Sequence, residues 1–234
     1  WDEAGRQMLQ DVQVDEEQDL VDVTPAELQT LDVRFQEARN RCRPGLTDAM
    51  LEAQSERCQF YLKLSVVVED ALELPGVRME DYSPQLVFYG KALEQALRDN
   101  LYELFHRDPE LSIYNPVTHV DAPDSAEAFR NKPAGKTLMG NYEYLIAGKK
   151  ERLEALCLSH PVQPQGEPAP ESWKGWWEQL RRAICRAREI RNLMGHADEL
   201  SPNREKLDQM CGLLLGDGAG RGILDRVTVG QQLT

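Results

Sequence analysis

Apolar positions recur at three- and four-residue intervals through most of the chain, the spacing of one buried face of an α-helix. The first run follows Thr24-Pro25-Ala26-Glu27, where a threonine with a glutamate three residues on forms a capping box and proline takes the first helical position. Leu28, Leu31, Phe35, Ala38 and Cys42 mark its apolar side, and Pro44-Gly45 ends it. A second helix is expected over about 48–74, capped by Thr47 or Asp48, with Met50, Leu51, Cys58, Tyr61, Leu62, Val66 and Leu72 inward. Within it Val66-Val67-Val68 would suit a strand, but the helical spacing on both sides outweighs that. Ser83-Pro84 opens a third helix reaching about Arg107, striped by Leu86, Tyr89, Leu93, Leu97, Leu101 and Leu104. Further helices are expected at about 149–159, from Trp173 (capped by Ser172) through Arg191, and from Ser201-Pro202 to about Leu215.

What interrupts the pattern sets the organisation. Residues 1–23 are acidic and weakly periodic, which reads as a flexible N-terminal segment or linker. Proline, asparagine and aspartate punctuate 108–133 as a loop-rich insertion, and 161–171 is a proline-rich connector. Gly216 through Gly222 is glycine-rich but follows a helix and lacks Lys-Ser/Thr, so it reads as a turn and not a phosphate loop. Val227-Thr228-Val229 is expected to be a short strand or tail. The resulting division is an acidic, flexible N-terminal segment over 1–23, a helical domain over 24–216, and a glycine-rich turn with a C-terminal tail over 217–234.

Composition alters this picture in three places. No run approaches the roughly eighteen apolar residues that span a bilayer, and a cytoplasmic protein is expected. The five cysteines, Cys42, Cys58, Cys157, Cys185 and Cys211, are odd in number and contain no Cys-x-x-Cys pair, which suits reduced thiols without a zinc site. The net charge of −13 argues against a general nucleic-acid coat protein. Yet residues 1–33 hold ten acids against Arg6, whereas 173–191 holds six bases (Lys174, Arg181, Arg182, Arg186, Arg188, Arg191) against Glu178 and Glu189. That helix is either a local contact for RNA or a solvated basic face. Its Trp173, Trp176 and Trp177 could stack on bases, but tryptophans at helical spacing read first as core.

Candidate chemistry gathers at the end of the basic helix. With 100° per residue, Trp176, Leu180, Ile184, Ala187 and Met194 fall within about 60° of Arg191, which places this arginine inside the apolar stripe. A buried guanidinium needs a partner, and helix-breaking Gly195 with titratable His196 follows at once. Such an arginine can hold a phosphoryl oxygen bidentately while a histidine moves a proton. Two polar groups bear on the third helix: Asn100, inside the stripe and in need of a buried partner, and Glu94 at its edge, where an exposed pair with Arg98 is the plain reading. His106, His119 and His160 lie on separate elements and read as surface residues, with no metal cluster.

Arg191-Asn192-Leu193-Met194-Gly195-His196 resembles the signature of HEPN domains, all-helical domains that include many metal-independent ribonucleases of prokaryotic toxin and antiviral systems. Tyr89-Gly90-Lys91-Ala92-Leu93-Glu94 is similar to the family's lysine, small, apolar, glutamate segment on an early helix. Thr137 through Ile146 is similar to its threonine-leucine-glycine then aromatic-leucine segment, with Met139 inserted before Gly140. The resemblance implies an all-α, up-and-down helical bundle with an insertion between its halves. It implies catalytic Arg191, His196, Asn192 and Glu94, no cofactor, and a homodimer with a composite site. Spacing along the same helix adds Arg188 and Arg181 as RNA-binding candidates. An antitoxin or other defence protein is the expected further partner. The competing expectation is a non-catalytic HEPN-like module, or a scaffold in which Arg191 pairs with Glu94 or Asp198.

Overall fold

The computed structural model describes residues 24–72, 81–111, 129, 133–160, 162–164, 169–192, 202–216 and 222–233. Among these the architecture is all-helical. The helices are α1 (Pro25–Cys42), α2 (Asp48–Glu52), α3 (Glu56–Leu72), α4 (Ser83–Arg107), α5 (Met139–Ser159), α6 (Trp173–Asn192), α7 (Arg204–Leu215) and α8 (Ile223–Val227). Short 3-10 turns occupy Ala134–Lys136 and Thr228–Leu233.

Local chemistry accounts for most boundaries. Thr24 Oγ1 accepts from the Glu27 amide while Glu27 Oε2 accepts from the Thr24 amide, the reciprocal cap expected at α1. The single helix expected over 48–74 is instead two. Ser55 Oγ accepts from the Cys58 amide and so restarts the chain as α3 after a break that begins at Ala53. The helix expected from 149 begins ten residues earlier, at Met139. Asn141 Oδ1 accepts from the Leu138 amide at its start, and a kink with non-helical angles sits at Lys149. The last long helix starts later than Ser201-Pro202, because Asn203 Oδ1 caps the Lys206 amide.

Helix α4 is the axis of the molecule. Fourteen of its 25 residues are buried, and it touches α3, α5, α6, α7, α8 and the C-terminal turn. Helix α1 lies against α3, and α5 lies against α6. Phe129, from the insertion, is fully buried against Tyr102, Phe105 and Tyr142. Trp173, Trp176 and Trp177 pack edge to face as core residues, with Trp177 fully buried. Val227–Val229, expected as a short strand or tail, is helical and buried. Gln54 Nε2 donates to the Leu224 carbonyl, and Gln232 exchanges hydrogen bonds with the Gln163 backbone, so residues 222–233 close over the bundle.

A buried ionic knot ties the first and last parts of the helical core. Glu69, with no exposed side-chain surface, meets Arg43 at 2.8 Å and Arg204 at 3.3 Å, and Tyr89 Oη donates to it at 3.4 Å. Arg43 also reaches Asp208 at 3.0 Å. Burial pushes the Glu69 carboxyl above its ordinary pKa, and the two guanidiniums pull against that. The Tyr82 amide donates to the Pro202 carbonyl at 2.9 Å, which fixes the chain entering α7 against the start of α4.

Candidate functional site at the α4–α6 contact

Helix α6 buries Trp173, Trp176, Trp177, Leu180, Ile184, Ala187 and Ile190. Arg191 has the same angular phase, yet it is not the inward arginine expected: its side chain retains 43% exposure. Close packing on Gly90 of α4 explains both facts. A Cβ at Gly90 would lie 3.2 Å from Arg191 Cγ, so the arginine's stem occupies the space the missing side chain leaves. The stem is covered and the guanidinium reaches past the rim, the usual compromise for a long cationic side chain.

At that rim stands Glu94, whose Oε1 is 3.7 Å from Arg191 NH2. Glu94 is not the exposed group expected at the edge of the stripe, since it is only 6% exposed. Two of the segments that carry the HEPN resemblance therefore touch, although nearly a hundred residues separate them. Asn192, the next candidate, is exposed at the end of α6. His196, Gly195 and Asp198 lie outside the described residues. The described chain on either side of them, Arg191 and Pro202, is held against α4.

The third segment of the resemblance underlies Arg188. Its Cδ is 3.7 Å from where a Gly140 Cβ would stand, its guanidinium carbon is 5.7 Å from the Tyr144 ring centroid, and Nε is 2.9 Å from Glu143 Oε2. Arg181 pairs with Glu178 at 2.8 Å and approaches Glu143 at 3.6 Å. The remaining bases of the helix are also neutralised: Arg182 by Glu178, Arg186 by Glu189 and Lys174 by Glu151. Sequence alone shows Glu178 and Glu189 but leaves out the rest, since Glu143 and Glu151 come from α5 and Glu94 from α4. Helix α6 is thus basic by composition and matched in place. A phosphate on its flank must displace a carboxylate, whereas at Arg191 the one carboxylate among the described residues stands at 3.7 Å and 43% of the side chain is open.

Asn100 is buried and donates Nδ2 to the Ala96 carbonyl at 2.7 Å. His106 is half-buried and stacks on Tyr102, His160 is exposed, and His119 lies outside the described residues. All five cysteines are free. Burial raises every thiol, Cys42 and Cys157 to about 11 and Cys211 to about 12, so none is a ready nucleophile near neutral pH. Among the described residues, no group of three or more His, Cys, Asp or Glu is placed to hold a metal, and no helix is long and apolar enough to cross a membrane.

Fold and site together define an all-helical protein with an arginine–glutamate pair at the open end of its central helix contact. Comparison with family profiles, with curated proteins and with solved structures finds no match.

Proposed function

We propose that the protein is an endoribonuclease of the HEPN type, acting within a prokaryotic toxin or antiviral defence system. The observation supporting this most strongly is the approach of Arg191 to Glu94 from separate resemblance segments, with the guanidinium left partly open to solvent. In the reaction the RNA 2′-hydroxyl oxygen attacks its own phosphorus and the bond to the 5′-oxygen breaks, giving a 2′,3′-cyclic phosphate and a 5′-hydroxyl. Arg191 stabilises the pentacoordinate phosphate and Glu94 orients Arg191. His196 moves the proton and Asn192 positions the pair. The mechanism requires no metal, and a homodimer would place two such sites about its twofold axis.

A second reading, a non-catalytic module that binds a nucleotide, RNA or a protein partner such as an antitoxin, draws support from the neutralised flank. Arg188 and Arg181, the expected RNA contacts, are already held by Glu143 and Glu178. One experiment separates the two. Purified protein is incubated with total RNA in EDTA beside His196→Ala and Arg191→Ala controls. Cleavage that persists in chelator, leaves cyclic or 3′-phosphates and disappears in both variants is the expected outcome. Cleavage that vanishes with EDTA and leaves 5′-phosphates sinks the mechanism, and binding without cleavage favours the module.

A further inference from the structure

The ionic knot at Glu69 closes on itself as a ring of alternating charge. Glu69 receives Arg43 through Nε at 2.9 Å and NH2 at 2.8 Å, and Arg43 NH2 donates to Asp208 Oδ1 at 3.0 Å. Arg204 Nε donates to the same carboxylate at 3.1 Å, and Arg204 NH2 returns to Glu69 at 3.3 Å. Glu69 and Arg43 are the covered half of the ring, while Arg204 and Asp208, one turn apart on α7, form its half-open side. A carboxylate withdrawn from water among guanidiniums has its place closely set, because any shift leaves charge unpaired in a low-dielectric setting. The ring therefore fixes the first turn of α7. The hydrogen bond from the Tyr82 amide to the Pro202 carbonyl fixes the chain just before it.

This anchor and the seat of Arg191 refer to the same rod. Tyr89 Oη donates to Glu69 Oε2 at 3.4 Å, and the next residue of α4, Gly90, receives the Arg191 stem. Tyr82, which holds Pro202, lies only about 12 Å from Gly90 along the helix direction. The chain from Asn192 to Pro202 could reach about 33 Å if extended, so its ends are held at well under that span. Between them lie residues 193–201, the stretch that carries His196. We infer that Glu69 is a positioning residue for the cleavage reaction: through Arg204 it fixes the end of that stretch remote from Arg191, and so the place from which His196 meets the phosphate. The inference rests on the reading of the protein as an RNA-cleaving enzyme. A reacting group misplaced by about 1 Å can cost about a hundredfold in rate, so an anchor outside the site still governs the chemistry.

The test is steady-state cleavage of a single-stranded RNA by the full chain, with amide hydrogen exchange over residues 193–201 read on the same preparations. Arg204→Gln removes the α7 side of the anchor and leaves Glu69 paired with Arg43. It is expected to lower kcat about tenfold with KM unchanged, and to speed exchange over 193–201. Arg204→Lys keeps the charge but cannot meet Glu69 and Asp208 with separate nitrogens of a rigid fork, so a smaller loss of about threefold is expected. It stands as the reading if Arg204→Gln fails to fold. Lys63→Gln, which breaks the ion pair with Asp32 between α1 and α3, controls for lost stability and should match the parent in kcat and exchange. Parental kcat in a folded Arg204 variant would overturn the positioning role, whatever the exchange shows. Equal losses in Arg204→Gln and Lys63→Gln would overturn it too, since they mark a general loss of stability. A parent that does not cleave removes the nuclease reading, and exchange alone then decides whether Arg204 anchors the stretch.

Discussion

Gly90 and Arg191 are complementary, and exchanging the glycine tests the site without touching a charged group. An alanine there meets Arg191 Cγ at 3.2 Å, a contact that a flexible side chain relieves by moving. Alanine also favours mid-helix backbone over glycine by up to about 1 kcal/mol. Gly90→Ala is therefore expected to leave the melting temperature unchanged or slightly raised while RNA cleavage falls severalfold. A large drop in melting temperature with cleavage intact would show that Arg191 is not what the glycine makes room for. The Arg191–Glu94 distance of 3.7 Å and the exposure of the guanidinium point the same way. This is not the tight buried pair whose rupture typically costs about 3–5 kcal/mol, so Arg191→Ala should still fold.

At the scale of elements, α5 and α6 are joined by charge as much as by their apolar seam. Glu178 receives Arg181, Arg182 and, from α5, Lys150 at 3.0 Å. These contacts, with the Arg181 hydrogen bond the largest, hold its carboxyl well below the ordinary 4.5. A carboxylate whose pKa is lower folded than unfolded contributes stability above the unfolded value and loses it as pH falls toward the folded one. The acid limb of a stability curve should thus steepen as pH drops below about 4.5. Glu178→Gln is expected to flatten that limb and to reduce stability by about 1 kcal/mol at neutral pH, since the group is partly solvated. Urea midpoints from pH 7 to 2.5 provide the check, and parallel curves for the two proteins would refute it. Such pairing explains why a helix with six bases is not an open cationic track: its own Glu178 and Glu189 meet Arg181, Arg182 and Arg186, and neighbouring helices supply the acids for Lys174, Arg188 and Arg191.

Across the whole molecule, the C-terminal residues behave as a cap on α4. A Cβ at Gly230 would stand 2.3 Å from the Asn100 carbonyl oxygen and 2.5 Å from Leu101 Cδ2. Backbone on one side and a fully buried leucine on the other leave little to yield, so Gly230→Ala is expected to destabilise by about 1–3 kcal/mol, as overpacking does in other cores. Chemical denaturation measures this, and a variant as stable as the parent would mean that residues 228–233 do not seat on α4 in solution. The Glu69 knot acts over the same distance. It joins Arg43 after α1 to Arg204 at the start of α7, so the chain entering α7 is held by groups remote in sequence.

Apolar periodicity and caps by themselves determined that the chain is helical, where α1 and α4 begin and end, and that the tryptophans of α6 belong inside. Those properties follow from local spacing, hydrogen bonding within a turn, and area to bury. The strand or tail expected at 227–229 had no local signal against it; burial beneath α4 made it helical, because a covered backbone must satisfy its own hydrogen bonds. The stripe also put Arg191 on the correct face of its helix, but phase does not fix depth. Only the tertiary arrangement decided that its stem runs over Gly90 and its guanidinium stops at the rim beside Glu94. Likewise, the charge of α6 was legible residue by residue, while its neutralisation by Glu143, Glu151 and Glu94 was not. Coulomb partners are chosen by proximity in space, and the helices that supply them are brought alongside by the core and not by the sequence between them.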